Sequence, residues 1–486
     1  MLFSTIIEHL KSIEVHGDKN VNITSMTTNS KEVSESQCFI AIRGTQVDGH
    51  TFITDAISKG ASAVICEKLP DNLESNVCYA LVENTNVAMG IAASIFYSNP
   101  SKQLKLVGVT GTNGKTTTAT LLHDLFQILG YKVGLISTVV YKIDNEEIES
   151  THTTPDAITL NKLLHKMVDA GCEYCFMEVS SHAITQKRIE GLHFAGGVFT
   201  NITHDHLDYH KTFGEYLKAK KSFFDSLTKD AFALTNNDER NGKIMVQNTK
   251  AKVKTYGLRT PSDFKCKIIE QHLDGMLLNI NGTEFWTTLI GDFNAYNISA
   301  IYGTAISLGA SEEEVVKGIS LLKSVAGRFE YVKSKSGIIA VVDYAHTPDA
   351  LQNVIDTINR LRVSGQQLIT VFGCGGNRDA AKRPAMARIA TENSDKVIMT
   401  SDNPRKENPE SILKDMYAGV SIPNRKKTLS IVNRREAIKT SVSLAEKDDI
   451  ILVAGKGHEN YQITGEVKIH FDDKETLIEI FSELEK

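Results

Sequence analysis

Residues 104–129 constrain the fold of this chain more than any other segment. An apolar run of strand length, 104–109, enters a glycine-rich turn, Gly111-Thr112-Asn113-Gly114-Lys115-Thr116-Thr117. It leaves in a stretch whose apolar positions, Leu121, Leu122, Leu125, Phe126 and Leu129, follow helical spacing. A buried strand passing through such a turn into an amphipathic helix is half of a βαβ unit, which demands a parallel sheet. The alternation continues: strands are expected over 132–140, 174–179, 197–201 and 231–235, with helices after Pro155 and over 214–227. The fold class is therefore α/β, a central parallel sheet with helices on both faces.

At about 150 residues per domain, 486 residues make roughly three domains. Asn99-Pro100-Ser101 is a break signal, and a second change of character falls near Tyr331. The expected units are a smaller N-terminal α/β domain (1–98), the central domain (99–330) and a C-terminal Rossmann-like α/β domain (331–486). In the first, Asp48-Gly49-His50 opens a helix and 61–66 is a strand. In the third, strands over 338–342, 368–372, 396–400 and 450–454 each run into a polar loop. These loops are 343–348, 373–378, 401–405 and 455–459. Ligands of open α/β sheets bind beyond the carboxyl ends of the strands, so four such loops on one edge describe a site.

Composition narrows the function. Hydrophobic residues make up 41% and charged residues 23%, which fits a folded globular chain. A net charge of -5 offers no general attraction to nucleic acid or anionic membrane, so anion binding must be local. No apolar stretch reaches the ~18–20 residues of a membrane span, and Met1 to His9 lacks the basic start of a signal peptide. With seven scattered cysteines, this leads to the expectation of reduced thiols in a cytoplasm. Cys172-x-x-Cys175 has no second half of a zinc motif and lies against an apolar strand, so it is expected to be core.

The turn at 111–117 is placed to cradle phosphate, with backbone N–H groups and a helix N-terminus facing the anion. Lys115 would reach the outer phosphates and the Thr116 hydroxyl would ligate Mg²⁺, although Val109 stands where the usual loop has its first Gly. Glu178, ending the next strand, is placed as a second metal ligand. The run His204-Asp205-His206-Leu207-Asp208 admits two readings: one histidine serving a Mg²⁺ site, or a zinc-dependent hydrolase using HxHxD. On composition, Lys220 is one lysine among several on an amphipathic helix, and Arg405 is a solvated loop arginine.

Together these motifs resemble the bacterial Mur ligases, ATP-dependent amide-forming enzymes of peptidoglycan synthesis, over essentially the whole chain. The likeness is to the members that add the third residue of the stem peptide. It implies ATP binding by 110–116 (Thr110, Gly111, Thr112, Asn113, Gly114, Lys115, Thr116), by Asn294 and hinge Arg328, and by Asp343, Tyr344 and His346. It implies Mg²⁺ on Thr116, Glu178, His206 and Lys220, the last carbamylated to N6-carboxylysine, and a catalytic set of Lys115, Glu178, His206 and Lys220. UDP-N-acetylmuramoyl-L-alanyl-D-glutamate would meet Ser30, Thr45, Gln46, Val47, Thr153, Thr154, Ser180, Gln186 and Arg188. Asp402-Asn403-Pro404-Arg405 resembles the loop form that takes meso-2,6-diaminopimelate, with Arg378, Gly455 and Glu459 completing the pocket. A guanidinium fork is the natural partner for that amino acid's second carboxylate. The resemblance also implies a cytoplasmic monomer. Rivals are an L-lysine-adding relative, a folylpolyglutamate synthetase and a non-enzymatic nucleotide-binding regulator.

Overall fold

The computed structural model describes residues 1–44 and 47–486, and among these residues three large sheets and one separate hairpin carry the chain. Thr45 and Gln46, two of the expected sugar-nucleotide contacts, lie outside the described residues. The first sheet orders its strands Ser12–His16, Cys78–Val82, Ala61–Cys66, Gln37–Ile40, Ser25–Thr27, parallel except for the first pair. The expected helix at 48 begins as a tight 3₁₀ turn, Gly49–Phe52, because the Asp48 carboxylate accepts the His50 N–H at 3.0 Å. The α-helix Ile53–Ser58 follows.

The central sheet has 11 strands. Its parallel core runs Lys252–Gly257, Phe232–Asn236, Gly196–Phe199, Lys105–Thr110, Tyr174–Glu178, Val133–Ile136. Alternate side chains of Lys105–Thr110 enter opposite cores. Val107 and Val109 pack under the helices Lys115–Ile128 and Asp292–Ser307, while Leu106 joins the layer of Ala157–Asp169 and Phe213–Asp225. This burial on both faces explains the unbroken apolar run in the sequence.

Antiparallel strands flank this core, and here the structure departs from the expected purely parallel sheet. The predicted strand 132–140 breaks at Ser137, whose Oγ accepts the N–H groups of Val139 (3.3 Å) and Val140 (3.2 Å). The chain then turns back as Val140–Ile143. On the far edge, Phe264–His272, Gly275–Ile280 and Thr283–Thr287 form an antiparallel meander that the sequence reading does not contain.

The third sheet runs Glu330–Lys333, Ile339–Asp343, Ile450–Ala454, Leu368–Cys374, Lys396–Ser401, Thr428–Ile431, parallel after its first strand. Its four expected strands begin and end within two residues of the predicted positions. Their carboxyl ends deliver the four loops to one edge, where the segment after Asp343 meets the glycine-rich turn through Asn113 and Asp349.

Candidate active site

Between the second and third sheets lies a cavity of about 670 Å³, lined by Asn113, Gly114, Asn297, Arg328, Tyr344 and His346 among others. The glycine-rich turn forms its base. Gly114 has φ +85°, and a Cβ there would meet Asn297 Oδ1 at 2.7 Å, so the helix Lys115–Ile128 can start only on glycine. Asn201 and Thr200 brace the turn: Asn113 N–H donates to Asn201 Oδ1 (2.9 Å), and Thr200 Oγ1 donates to Asn113 O (2.6 Å). Lys115 Nζ donates to Gly111 O (2.9 Å) and Thr112 O (2.8 Å). Burial pulls its ammonium below the usual lysine range, with Glu178 and Asp205 opposing.

A second buried lysine meets the same carbonyl. Lys220 Nζ donates to Gly111 O (2.8 Å) and Thr110 Oγ1 (3.4 Å), and lies 4.8 Å from the Tyr216 ring centre. Burial, and then the neighbouring Lys115 charge, hold it well below the ordinary lysine value. Glu178 is buried at its strand's end and accepts the Thr138 N–H at 2.7 Å. His206 has φ +54°, stands edge-on to His182 at 5.0 Å, and is kept neutral chiefly by burial, against the pull of Asp205. His204 is exposed and His206 is partly exposed. Among the described residues no three His, Cys, Asp or Glu side chains gather as a metal cluster. Cys172 and Cys175 lie in the core, as the sequence suggests, and all seven thiols are buried.

The third sheet closes the cavity from above. Arg328 Nη2 donates to Thr116 Oγ1 (3.2 Å), and its guanidinium stacks 4.5 Å from the Tyr344 ring centre. Asn113 Nδ2 donates to Asp349 Oδ2 (3.0 Å). Asp343 accepts the N–H groups of Phe329 and Ala345, each at 2.7 Å, and burial pushes its carboxyl up to about 6. His346 Nδ1 donates to Tyr344 O (2.9 Å), and Lys382 Nζ donates to His346 O (2.8 Å). Gly327 has φ +64°, and a Cβ there would meet His458 N at 2.1 Å, so the hinge and the 455–459 loop interlock through glycine alone.

Two further clusters flank this centre. Arg188 donates to Thr154 O (2.6 Å) and grips Gln186 Oε1 with Nε (3.0 Å) and Nη2 (2.7 Å); Thr154 Oγ1 donates to Glu178 O (2.8 Å). Ser180 N–H donates to Thr154 Oγ1 (3.2 Å), and Thr153 Oγ1 accepts from Thr138 (3.0 Å). One network thus joins Thr153, Thr154, Ser180, Gln186 and Arg188 to the Glu178 strand, whereas Ser30 and Val47 stand on the first sheet's unit. In the other cluster, Asn403 Nδ2 donates to Glu459 Oε2 (2.7 Å), and Lys456 Nζ bonds Glu459 (3.3 Å) and Asn403 Oδ1 (3.4 Å). Burial, and then the adjacent Asp402 charge, raise the Glu459 carboxyl above its ordinary range. Arg405 Nη1 donates to Gly376 O (2.9 Å), and Arg378 is exposed on the neighbouring loop. A fully buried ion pair, Arg434–Asp473, supports this cluster: Nε and Nη2 each lie 2.7 Å from a carboxylate oxygen. Nη2 also reaches Ala454 O (3.1 Å) and Nη1 reaches Ser401 O (3.4 Å), the last carbonyls before the 455–459 and 402–405 loops.

Three Mur ligase domain families match the chain in series. They are the Mur ligase family catalytic domain (22–103), the Mur ligase middle domain (109–305) and the Mur ligase glutamate ligase domain (327–457). The UDP-N-acetylmuramoyl-L-alanyl-D-glutamate–2,6-diaminopimelate ligase of Bacteroides fragilis is 55% identical over 482 residues, 99% of each chain. The chain belongs to the Mur ligase family. The ligase of the same name from Cytophaga hutchinsonii is 54% identical over the full length of both. A solved structure of a ligase so named, 32% identical, superposes with a TM-score of 0.72 over 100% of this Mur ligase and 99% of that chain.

One expected nucleotide contact of this Mur ligase, Asn294, is engaged at the start of its own helix. Asn294 does not line the cavity: its Nδ2 donates back to Ile290 O (2.8 Å), and its Oδ1 accepts from Asn297 (3.2 Å). Asn297, one turn on, presents Oδ1 toward Gly114. Sequence reasoning also missed Lys456, Asp349, Lys382 and Arg434. Only Lys456 carried a signal, its place inside a glycine-flanked strand-end loop.

The donor set fits Mg²⁺. Thr116 supplies a hydroxyl, Glu178 a carboxylate and His206 a neutral imidazole, and the cation needs a further anionic oxygen. Burial holds the Lys220 amine well below the ordinary lysine value, which favours the deprotonated form that captures CO₂; a carbamate there would supply that oxygen.

Proposed function

We propose that this chain is an ATP-dependent ligase that adds meso-2,6-diaminopimelate to UDP-N-acetylmuramoyl-L-alanyl-D-glutamate in the cytoplasm. The observation that carries the reading is the full-length likeness to ligases of that name. The strand-end loops support it, since those of the central sheet form a phosphate cradle and those of the third sheet an arginine-bearing amino-acid pocket. Residues 1–98 would take the uridine nucleotide, 99–330 the ATP, and 331–486 the amino acid.

In this reading the γ-phosphoryl group of ATP passes to the γ-carboxylate of the dipeptide's D-glutamate. The amine of diaminopimelate attacks the resulting acyl phosphate, and phosphate leaves. Two anions must meet in the first step, so the protein's task is neutralisation and alignment. Lys115 turns from its carbonyls to the transferred phosphoryl group, and Arg328 covers it from the third sheet's side. Thr116, Glu178, His206 and carbamylated Lys220 would hold Mg²⁺, which supplies charge neutralisation at the phosphates when bound. Arg188, with Gln186 fixing its plane, takes the dipeptide's carboxylate end. Glu459, set by Asn403 and Lys456, receives an ammonium of the acceptor, and Arg378 and Arg405 its distal carboxylate. Contact of Asn113 with Asp349 and of Arg328 with Thr116 shuts out the water that would hydrolyse the acyl phosphate.

Phosphate release measured with ATP, the muramoyl dipeptide and a panel of amino acids tests this. Release should require the dipeptide and respond to diaminopimelate. Release without either, or driven by L-lysine alone, refutes the reading.

A further inference from the structure

One hairpin stands outside all three large sheets and runs along the acceptor pocket. Its strands, Tyr461–Thr464 and Val467–His470, form a two-stranded sheet of their own. A lone hairpin is marginally stable in water, and what secures this one is the 402–405 loop. Arg405 N–H donates to Ile463 O (3.0 Å), and Gly465 N–H donates to Arg405 O (2.6 Å). Ile463 N–H donates to Asn403 Oδ1 (2.9 Å), and Gln462 Nε2 donates to Asp402 O (2.7 Å).

The support is mutual. Arg405 has φ +53°, a left-handed conformation that a side-chain-bearing residue adopts only when its surroundings enforce it. Both backbone groups of Arg405 are held by the hairpin. Tyr461, its first residue, is half-buried, with its ring centre 5.4 Å from Lys456 Nζ and 4.2 Å from Lys468 Nζ. Its phenol is pushed up by burial and by Glu459 and Asp402, while Arg405 and Arg378 pull the other way. The ring therefore stands among the charged side chains of all three acceptor loops.

We propose that this hairpin is the selectivity element of the acceptor pocket. It holds Arg405 in the conformation that serves a second carboxylate, and Tyr461 walls the pocket with its hydroxyl available to the acceptor's far amino-acid group. The inference rests on the functional reading above, in which the acceptor is a diamino dicarboxylic acid. L-lysine lacks the second carboxylate, so loss of the hairpin's support should cost diaminopimelate and spare lysine.

The test uses the full chain and compares both amino acids in wild type, Tyr461→Phe, Tyr461→Ala and Gln462→Ala. Removing one hydrogen bond should raise the diaminopimelate KM about tenfold in Tyr461→Phe. The kcat and the ATP KM should stay within about twofold, and selectivity over lysine should fall in step. Hydrogen exchange on the wild type gives a readout besides activity: diaminopimelate should slow the Ile463 and Gly465 amides, and lysine should not. Selectivity unchanged in every variant, or equal protection by both amino acids, overturns the inference. A wild type that ignores diaminopimelate overturns the functional reading and this inference with it. A wild type that uses it while the variants keep its selectivity overturns this inference alone.

Discussion

Replacing Asp473 by Asn should loosen the third sheet from beneath its acceptor loops. Arg434 and Asp473 are both fully buried, and the guanidinium bonds its partner through two nitrogens. Burial works against the Arg434 charge, but Asp473, with Asp402 and Glu459 beyond it, more than offsets that and raises the group above its ordinary value. Neutralising Asp473 leaves a buried charge without its partner, which costs about 3–5 kcal/mol. At 1.4 kcal/mol per factor of ten, amide exchange in Ile450–Ala454 should accelerate by roughly 100- to 4,000-fold. Exchange read by mass spectrometry on that segment isolates the effect from the other two sheets. Replacing both partners, Arg434→Met with Asp473→Leu, removes the charges together and should restore protection to within about tenfold of wild type. The double variant still strips the donors from Ser401 O and Ala454 O, so its acceptor KM should rise while its ATP KM holds. Exchange within about threefold of wild type in Asp473→Asn would refute the reasoning. So would a double variant no better protected than the single one.

Lys220→Ala should lower phosphate release by roughly 100-fold, the scale on which metal sites respond to loss of a supporting group. A short carboxylate such as acetate should recover part of it, and full activity without one removes the carbamate. Asp343 makes stability depend on pH. Its carboxyl is pushed from 3.8 up to about 6, chiefly by burial, so between those values the folded chain binds a proton that the unfolded chain does not. The destabilising contribution of Asp343 therefore grows as pH rises through that window and is constant above it. Relative to wild type, Asp343→Asn should gain up to about 3 kcal/mol in urea unfolding between pH 4 and 7.5; a pH-independent difference counts against the assignment. Gly327→Ala should strain both the hinge and the 455–459 loop, because the new methyl meets backbone rather than a movable side chain. It should cost about 1–3 kcal/mol and lower kcat more than it changes ATP binding, as measured by single-turnover kinetics.

What could be read from the sequence was whatever local pattern specifies. Leu106, Val107 and Val109 are buried on both faces and Leu121 to Leu129 on one, so the strand, turn and helix around Lys115 were legible. The strands ending in the 343, 373, 401 and 455 loops were legible for the same reason. The choice between Asn294 and Asn297 was not. Both lie on one face of the helix Asp292–Ser307, and the rotation of that helix against the glycine-rich turn decides which faces the cavity. Val467–His470 is exposed along its whole length and has no buried face to impose an alternation. Arg434 and Asp473, or Asn113 and Asp349, are partners far apart in the chain, and nothing in either neighbourhood announces the other.

Four cations beside the cavity and the acceptor loops rest on main-chain carbonyls: Lys115 on Gly111, Arg188 on Thr154, Arg405 on Gly376, Lys382 on His346. A carbonyl oxygen offers a partial charge, whereas a phosphate or carboxylate offers a full one and so attracts the same cation more strongly. An arriving phosphate or carboxylate therefore exchanges a weaker partner for a stronger one, without first breaking an ion pair. Had acids held these side chains, each substrate would have to outbid a rival of its own kind. Carbonyl tethers keep these four cations in place while leaving their charge unspent, and the site can discriminate by the density of negative charge a ligand brings.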